Sequence, residues 1–417
     1  MKRRGFYLAI VLLTGCTRER EGSVDSSLAA EIQGIRAIDN HAHPVRPVLS
    51  GPPDREFDAL PVDNMEPASD PLALRPNAPA TAEAAQHFRN KPSLLREKGD
   101  AYPVWVLDQM GVEVMLANRV AMGGAIQPPR FRWVPYADAL IFPLDNSKLA
   151  AANPDRKAFF ALEDNLRQRY LSEAGLQHLP ATLPDYLSRV VTPTLERQKQ
   201  GGALAEKFEA AYLRSLEFDK VDLAVAERVY RQNSPAEADY KQLQDYLFRY
   251  IAAECGRLGM VVHLHTDAGA GSYFQVAGAN PLLLESVLND PELRRTRFVM
   301  LHGGWPFTRE ITALLTKPNA YLDFSSQDLV LTPATLAASI REWLEFVPEK
   351  ILFATDAYPY SDQLGWEESG WIAARNGRQA LAIALTGMMR DGEISRGRAL
   401  ELAHMVLREN ARKLYGL

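Results

Sequence analysis

The 417-residue chain has few cysteines, no internal repeat and no long basic segment beyond its extreme N-terminus. Two cysteines permit at most one disulfide bond, which excludes a small fold held together by several disulfides. A formal net charge of −5 gives no electrostatic footprint for nucleic acid. No low-complexity segment is present either. A composition of 47% hydrophobic and 24% charged residues therefore indicates an ordinary globular protein with a sizeable core.

The first sixteen residues, "MKRRGFYLAIVLLTGC", indicate an export signal. Basic residues precede a short apolar stretch that cannot span a bilayer, and small residues follow it. "LTGC" resembles the lipobox of bacterial lipoproteins, which implies cleavage before Cys16 and lipidation of that cysteine. We therefore expect a signal peptide over residues 1–15 and a lipidated, flexible tether over residues 16–31. Thr17 favours anchoring in the outer membrane, with the protein facing the periplasm of the cell envelope.

The other cysteine, Cys255, lies at the apolar end of the helical pattern "YIAAECGRLG". Acylation of Cys16 would exclude an intramolecular disulfide. We expect Cys255 to be a small buried apolar residue.

Short apolar runs alternate with helical patterns along residues 32–417. Near-continuous apolar strands separated by amphipathic helices are typical of a parallel sheet covered on both faces, an α/β fold. With a weaker strand near "GGALAEKFEA", the pattern predicts a (β/α)8 barrel. The other seven strands are predicted in "GIRAIDNHAH", "GVEVMLANRV", "RFRWVPYADAL", "GMVVHLHTDAG", "RFVMLHGG", "AYLDFSS" and "KILFATDA".

Two segments, residues 44–103 and 143–200, interrupt this alternation. The first is rich in Pro, Asp and Asn, and the second combines irregular and helical patterns. Both would follow strand ends, so on a barrel we expect them to form a cap over the carboxyl-terminal face. The residues that select a substrate would then lie on these insertions.

His41 and His43 stand one residue apart at the end of the first predicted strand. Residues i and i+2 of a strand share a face, so two imidazoles would point into the same space. Zinc binds such neutral imidazole nitrogens. A lone His-x-His pair is nevertheless more commonly structural, since many histidines serve as hydrogen-bonded core residues.

Further metal-binding residue types end other predicted strands. His263 and His265 end "MVVHLHT", His302 ends "FVMLHGG", and Asp356 ends "ILFATDA". On a barrel all these ends converge on one face. The sequence therefore predicts a metal site there.

Taken together, these stretches resemble the amidohydrolase superfamily, specifically its amidohydrolase-related branch. They are similar to the amidohydrolase-like domain that is fused to glutamine-synthetase-like domains in nodulin-type proteins. The resemblance covers about residues 35–417, is weaker in the two insertions, and includes no glutamine-synthetase-like part. It rests on "IDNHAHP", "KFEAAYLRSLEFD", "HLHTDAG", "LHGGWPFTREI", "YLDFS" and "KILFATDAYPY".

The resemblance implies one or two divalent ions at the strand ends. His302 would be a ligand or a hydrogen-bond donor that supports one. Nitrogen and oxygen donors suit zinc, with manganese and iron as alternatives. The implied ligands are His41, His43, His265 and Asp356.

Two further positions concern the number of ions and the packing beneath them. Lys207 matches a strand-four lysine that some members carry in carboxylated form as a bridge between two metals. A solvated lysine on a helix is the alternative, because the segment also has a helical pattern. His263 would lie one layer deeper than His265, and we expect it to be structural.

Asp356 is the expected proton shuttle. Water bound to a divalent metal has a lowered pKa, and an adjacent carboxylate can take its proton and return it to a leaving group. An aspartate that caps the next helix is the alternative. The sequence thus predicts a metal-dependent hydrolase of amide bonds, with Asp356 and His302 as catalytic residues. A non-oxidative decarboxylase, a lactone hydrolase and a non-catalytic metal-containing envelope lipoprotein are the other hypotheses.

Three residues near these strand ends are candidates for substrate contact. Trp305 and Tyr358 follow ligand positions and would line the pocket. Arg309 would bind a substrate carboxylate or begin a helix. The expected partner is a small molecule, with no nucleic acid and no membrane contact beyond the lipid anchor. The identity of the substrate and a homo-oligomeric state stay open.

Overall fold

The computed structural model describes residues 24–48, 52–61, 78–361 and 364–417. Eight parallel strands lie at the centre of this described part. They are β1 (Ala37–Ala42), β2 (Val112–Asn118), β3 (Phe131–Val134), β4 (Ala205–Phe208), β5 (Val261–His265), β6 (Arg297–Leu301), β7 (Ala320–Asp323) and β8 (Ile351–Leu352).

Regular strand pairing forms two sheets, β1-β2-β3 and β4-β5-β6-β7-β8. Isolated parallel bridges join them at both seams, Tyr136 with Lys207 and Ala42 with Ala357. Lys207 N donates to Pro135 O at 2.8 Å, and Asp356 N donates to His41 O at 2.9 Å. The eight strands therefore have the arrangement of a (β/α)8 barrel, as predicted. The weak strand expected near "GGALAEKFEA" is β4.

Helices follow the strands and cover the barrel. They are α1 (Ser26–Gly34), α2 (Ala78–His87), α3 (Lys91–Lys98), α4 (Tyr102–Met110), α5 (Asp138–Ile141), α6 (Ser147–Ala150), α7 (Pro154–Glu173), α8 (Leu183–Tyr186), α9 (Thr192–Gln200), α10 (Ala210–Leu213), α11 (Leu223–Tyr230), α12 (Glu237–Leu258), α13 (Glu285–Leu288), α14 (Glu310–Leu314), α15 (Gln327–Val330), α16 (Pro333–Phe346), α17 (Trp366–Arg390), α18 (Arg396–His404) and α19 (Asn410–Tyr415).

Helix α12 illustrates how the sequence sets these elements. Leu243, Leu247, Ile251 and Cys255 recur every fourth residue and are all buried, so they form one apolar stripe against the core. Gly259 adopts the left-handed conformation and its N–H bonds back to Cys255 O, which ends the helix directly before β5. The prediction of a buried, unpaired Cys255 is confirmed.

Buried apolar side chains of the described residues form three clusters, of which the two larger lie between barrel and helices and inside the barrel. Ile38, Leu116, Val134 and Val261 belong to the cluster inside the barrel, together with Leu414 of α19. Helix α19 contacts β1 and β8 and contributes to this inner cluster. Because the strand ends that carry the histidines lie at the other end of the barrel, α19 covers its amino-terminal end.

The N-terminal predictions lie largely outside the described residues. Residues 1–23, which include the expected signal peptide and Cys16, are not among them. The expected tether overlaps the folded unit from Ser26 onward, because α1 buries Leu28 and Ile32 against the core. No helix within the described part of the chain is long and apolar enough to cross a membrane.

The two insertions take different positions. Described parts of residues 44–103 supply Asp58 and Leu60 to a cavity at the strand ends. Residues 143–200 form α6 to α9 and contribute no described residue to that cavity. The insertions touch through Arg169 Nη1 and Glu56 Oε2, 2.9 Å apart.

Candidate functional site

A cavity of about 280 Å³ opens at the carboxyl-terminal ends of the strands. Ends of β1, β4, β5, β6 and the segment after β8 supply its polar wall, and the loops supply aromatic and small residues. Its described lining residues are His41, His43, Asp58, Leu60, Lys207, Glu209, Tyr212, His265, residues 267–271, His302, Trp305, Ser326, Val330, Asp356, Tyr358 and Tyr360.

Three side chains in this cavity are spaced as metal ligands are. One donor atom each from His41, His302 and Asp356 lies within 4.8 Å of the others. Asp356 Oδ1 is 3.1 Å from His41 Nε2 and 3.6 Å from His43 Nε2. Donors about 2.0–2.1 Å from a tetrahedral zinc ion would be separated by about 3.3 Å, so these distances fit.

All five predicted ligands meet at this place. The ring centroids of His41 and His43 are 5.0 Å apart, and those of His41 and His302 are also 5.0 Å apart. His265 joins them, with its ring 4.7 Å from that of His302. The structure thus brings together the residues that the sequence places at four strand ends.

Hydrogen bonds fix the ring nitrogens of His43 and His302. Nδ1 of His43 lies 3.1 Å from Phe57 O, which can only accept, so this nitrogen carries the proton. Nδ1 of His302 lies 2.8 Å from Ser325 Oγ, whose own proton goes to Asp323 Oδ1 at 2.6 Å. In both residues Nε2 keeps its lone pair for a metal, an arrangement typical of metal-binding histidines.

The other two histidines differ in how they are held. His265 Nε2 lies 3.2 Å from Asp267 O, which leaves Nδ1 as the lone-pair nitrogen. His41 Nδ1 lies 2.5 Å from Asn118 Nδ2, while Asn118 Oδ1 has no partner within the described part of the chain. If the Asn118 amide is rotated by 180°, its Oδ1 can accept a hydrogen bond from His41 Nδ1. The 3.2 Å hydrogen bond from Asn118 Nδ2 to Ala42 O is then lost. All four imidazoles can therefore offer one lone pair to an ion.

Electrostatics keep these imidazoles neutral, the form that binds metal. Burial is the largest cause that lowers the pKa of His41, His43, His265 and His302, and the neighbouring Lys207 lowers each further. Burial also raises the pKa of the Asp356 carboxyl above its usual range.

The backbone is strained at three points around the cavity. His302 (φ 64°), Ser326 (φ 64°) and Asp356 (φ 51°) are the non-glycine residues with positive φ within the described part of the chain, and all three line the cavity. Such strain costs about 1–3 kcal/mol per residue and is concentrated at functional sites. Gly303, next to His302, has φ 56°, and a Cβ there would lie 2.5 Å from Gln327 Nε2. Glycine in "LHGG" is therefore required for this turn.

Lys207 lies in β4 and its side chain is only 1% exposed, so it is not a solvated helix residue. Its Nζ is 3.5 Å from His41 Nε2 and 3.7 Å from Glu209 Oε1. The lysine therefore stands beside the candidate ligands, at the position that the resemblance indicated.

His263 and Asp39 support the site from below. His263 Nε2 lies 2.6 Å from the hydroxyl of Tyr415 and does not line the cavity, in agreement with the expected structural role. Asp39 accepts from the main-chain nitrogens of His41 and Thr355 and from Thr355 Oγ1 at 2.6 Å. It therefore fixes the residue before Asp356.

The three candidate substrate residues separate into two groups. Trp305 and Tyr358 line the cavity as expected. The side chain of Arg309 is 83% exposed and pairs with Glu342 at 3.4 Å, directly before α14. Arg309 begins that helix and is not a lining residue.

Sequence reasoning missed several buried polar residues of the site, among them Asp58, Asn118, Tyr136, Glu209 and Asp267. Asn118 is the last residue of β2, so the rule that found the histidines could have found it too. Glu209 and Asp267 lie two residues after Lys207 and His265, the spacing that brings side chains back to the same face. Asp58 and Tyr136 gave no local signal.

Comparison with known proteins agrees with this geometry. Residues 174–417 match the family model Amidohydro_2, described as amidohydrolase. The match covers more than half of the chain, so the chain belongs to the amidohydrolase family, and the predicted resemblance is confirmed.

Individual relatives are distant. The chain is 29% identical over 192 residues to protein fluG of Emericella nidulans, which covers 44% of this chain and 21% of fluG. The chain thus spans about a fifth of the length of that relative.

Solved structures show the same fold at low identity. A protein described as a metal-dependent hydrolase from Lactobacillus casei has a TM-score of 0.65 at 16% identity and covers 93% of this chain and 97% of its own. Uronate isomerase from Thermotoga maritima has a TM-score of 0.60 at 12% identity, covering 93% and 96%. These likenesses concern the fold alone.

Proposed function

We propose that the protein is a metal-dependent hydrolase that cleaves an amide or related C–N bond of a small molecule. The observation that carries this proposal is the convergence of His41, His302 and Asp356 donor atoms within 4.8 Å at the mouth of the barrel. The protein groups that hold the opposite ring nitrogens add support, because they orient the lone pairs before any ion arrives.

The residues assigned to hold the ion are His41, His43, His265, His302 and Asp356, and zinc fits these donors, with manganese or iron as alternatives. Bound there, a divalent ion would act as a Lewis acid that polarises a carbonyl and lowers the pKa of water. Lys207 decides between one and two ions. The Nζ of Lys207 is 3.5 Å from His41 Nε2. Carboxylated, the lysine would offer an anionic ligand; unmodified, it would add a positive charge.

Asp356 is the proposed proton shuttle. Its backbone is held by the bond from its N–H to His41 O, and Thr355 before it is tied to Asp39. The burial that raises its pKa makes the carboxylate a stronger base than a solvated aspartate. It takes a proton from the attacking water and returns it to the leaving nitrogen. His302 assists as a ligand whose Nδ1–H is held by Ser325.

We further propose that the protein is anchored in the cell envelope through lipidated Cys16. The support is the sequence of residues 1–16. Labelling of expressing bacteria with a fatty-acid analogue tests it: the wild type is expected to be labelled and the Cys16→Ser variant not. Equal labelling of both would contradict the proposal.

Product analysis tests the proposed reaction. The metal-loaded protein is incubated with a panel of amides, lactones and aromatic carboxylic acids, and products are separated by mass spectrometry. We expect a new amine together with a carboxylate, and no such products from the His41→Ala/His43→Ala double variant. Carbon dioxide release without an amine would indicate a decarboxylase instead, and amide cleavage by the double variant would contradict the assigned site.

A further inference from the structure

Two buried carboxylate oxygens in the cavity wall have no hydrogen-bond partner among the described residues. They are Asp267 Oδ1 and Glu209 Oε2. Asp267 is 5% exposed and Glu209 is 4% exposed, and both line the cavity. A buried acceptor without a partner costs about 1–3 kcal/mol, more when it is charged, so these oxygens are expected to find a donor in a ligand.

The charge of the described lining is acidic. Asp58, Glu209, Asp267 and Asp356 contribute carboxylates, and Lys207 is the cationic side chain among the described lining residues. With all four carboxyls ionised, one divalent ion beside an unmodified lysine would leave one net negative charge. Two ions bridged by a carboxylated lysine would leave the same charge. In either case the cavity favours a ligand with a positive group.

The other carboxylates of the cavity already have tasks. Asp58 Oδ2 lies 3.8 Å from His43 Nδ1, and Asp58 Oδ1 accepts from Leu60 N at 3.2 Å. Asp356 stands among the candidate ligands, 3.1 Å from His41 Nε2. Asp267 has a hydrogen bond with Ser326, but its Oδ1 has no partner among the described residues, so this oxygen is available to a substrate.

The loop that carries Asp267 is held in place on two sides. Ala268 N donates to Trp305 O at 2.9 Å. A Cβ at Gly269 would lie 2.7 Å from the Tyr212 hydroxyl and 2.6 Å from Phe274, so the loop packs closely on these rings. Asp267 is therefore presented by a fixed loop.

Aromatic rings line the same cavity as these carboxylates. The Tyr212 ring packs on that of His265 with centroids 4.7 Å apart, and Tyr358 packs on Tyr360 at 4.9 Å. Tyr212, Trp305, Tyr358 and Tyr360 all line the cavity. Aromatic rings combined with carboxylates are the environment in which proteins bind organic ammonium groups.

We propose that the substrate carries a protonated amine, which Asp267 binds with help from Glu209, so that the preferred substrate is an ammonium-bearing amide. An ammonium group has three hydrogen-bond donors, so it can donate to Asp267 Oδ1 and to a further acceptor of the cavity wall. This inference rests on the proposed hydrolase function for the nature of the reaction, but the amine site itself does not need turnover.

Binding of small probes tests the amine site directly. The metal-loaded protein is titrated calorimetrically with benzylammonium, benzyltrimethylammonium and benzyl alcohol. The quaternary probe has no lone pair and cannot bind a metal, so its affinity reports the carboxylates and rings. We expect benzylammonium, which can donate to Asp267 Oδ1, to bind at least about tenfold more tightly than the alcohol, a difference of about 1.4 kcal/mol, and the quaternary cation to bind with an affinity between the two.

Matched variants locate the effect. In Asp267→Asn the preference for the cations is expected to fall to about twofold or less, and in Glu209→Gln it is expected to fall partway. Asp219→Asn is the control, since Asp219 is an exposed partner of Lys241 and loses the same charge elsewhere. Thermal unfolding of each variant confirms that it is folded.

The outcomes separate this inference from the proposed function. Cations that bind no better than the alcohol, or a preference that survives in both Asp267→Asn and Glu209→Gln, would overturn the amine site. Cation selection that depends on Asp267 in a protein that cleaves no amide would support the amine site and contradict the hydrolase proposal.

Discussion

Two groups of buried polar side chains lie inside the barrel, and they differ in where their hydrogen bonds lead. The mouth cluster consists of His41, His43, His265, His302 and Asp356. The inner network consists of His263, Tyr415, Asn40 and Asp323.

In the inner network the bonds lead from one member to the next. The Tyr415 hydroxyl lies 2.6 Å from His263 Nε2 and donates to Asn40 Oδ1, and Asn40 Nδ2 donates to Asp323 Oδ2 at 2.6 Å. In the mouth cluster one nitrogen of each imidazole is held by the protein and the other remains for a ligand. His263 also has one nitrogen without a partner among the described residues, Nδ1, but unlike the four histidines of the mouth cluster it does not line the cavity. Burial alone therefore does not distinguish a metal-binding histidine from a structural one; access to the cavity does.

The two groups are also connected. Asp323 Oδ1 accepts from His302 N at 2.9 Å and from Ser325 Oγ, which in turn holds the His302 ring. The inner network thus positions one member of the mouth cluster. Substitutions in the two groups should have different consequences, loss of chemistry at the mouth and loss of stability below it.

The largest expected effect is on catalysis, from Asp356→Asn in the mouth cluster. The amide keeps the shape of the side chain but cannot accept the proton, so we expect kcat to fall about 10²–10⁴-fold. Steady-state kinetics with an amide substrate measure it. Arg309→Ala, an exposed residue outside the cavity, is the control and should keep kcat within about twofold. A kcat for Asp356→Asn near that of the wild type would contradict the proton-shuttle role.

The Lys207→Ala variant shows whether the mouth cluster binds one metal ion or two. If the lysine is carboxylated and bridges two ions, the variant should bind one ion fewer per chain and regain activity with added formate or acetate, which replaces the missing carboxylate. If the lysine is unmodified, the metal content should be unchanged. Elemental analysis together with intact mass of the native protein distinguishes these outcomes.

The side chain of Asp138 is a buried carboxyl that belongs to neither group, and its titration can be tested. Burial raises its pKa to about 7, and its Oδ2 accepts from Glu209 N at 2.7 Å. Because the folded protein holds this proton more tightly than the unfolded chain, the stabilisation is full below about pH 4 and is lost as the pH rises to 7.

The Asp138→Asn variant has no titrating group at this position. Between pH 4 and 7 the wild type should therefore lose stability relative to Asp138→Asn, by at most about 1.4 kcal/mol per pH unit. Denaturant unfolding of both proteins across this range measures the difference. A difference that is constant with pH would show that the pKa of Asp138 is not raised.

Tyr415→Phe is expected to have the smallest effect, confined to the inner network. It removes the hydroxyl that His263 and Asn40 share, so we expect a loss of about 1–3 kcal/mol in the free energy of unfolding. Metal content should not change and kcat should change less than about fivefold. A loss of metal as large as that expected from changes in the mouth cluster would erase the distinction between the two groups.

The sequence predicted the mouth cluster because each member ends an apolar run that becomes a parallel strand. His41, His265, His302 and Asp356 could be found from this rule alone, and the barrel follows from the same alternation. Strand β4 was weak because its four residues, Ala205–Phe208, include two charged ones that are nevertheless buried. Local pattern cannot show that a distant environment buries a charge.

The inner network and the acidic lining could not be predicted for a related reason. Tyr415 is separated from Asn40 by 375 positions along the chain, so only the tertiary fold brings them together. The sequence left two roles open for Arg309, the start of a helix or contact with a substrate carboxylate, and the tertiary structure places it at the surface directly before α14. Contacts of this kind depend on the tertiary fold.

Metal content of two single variants tests the central claim most directly. His41→Ala removes a histidine of the mouth cluster, and His263→Ala removes a histidine of the inner network from the same barrel. After equal loading with zinc and dialysis, elemental analysis should show that His41→Ala has lost most of its metal, whereas His263→Ala keeps the wild-type amount. Equal retention by both variants, or a loss confined to His263→Ala, would contradict the assignment of the mouth cluster as the metal site.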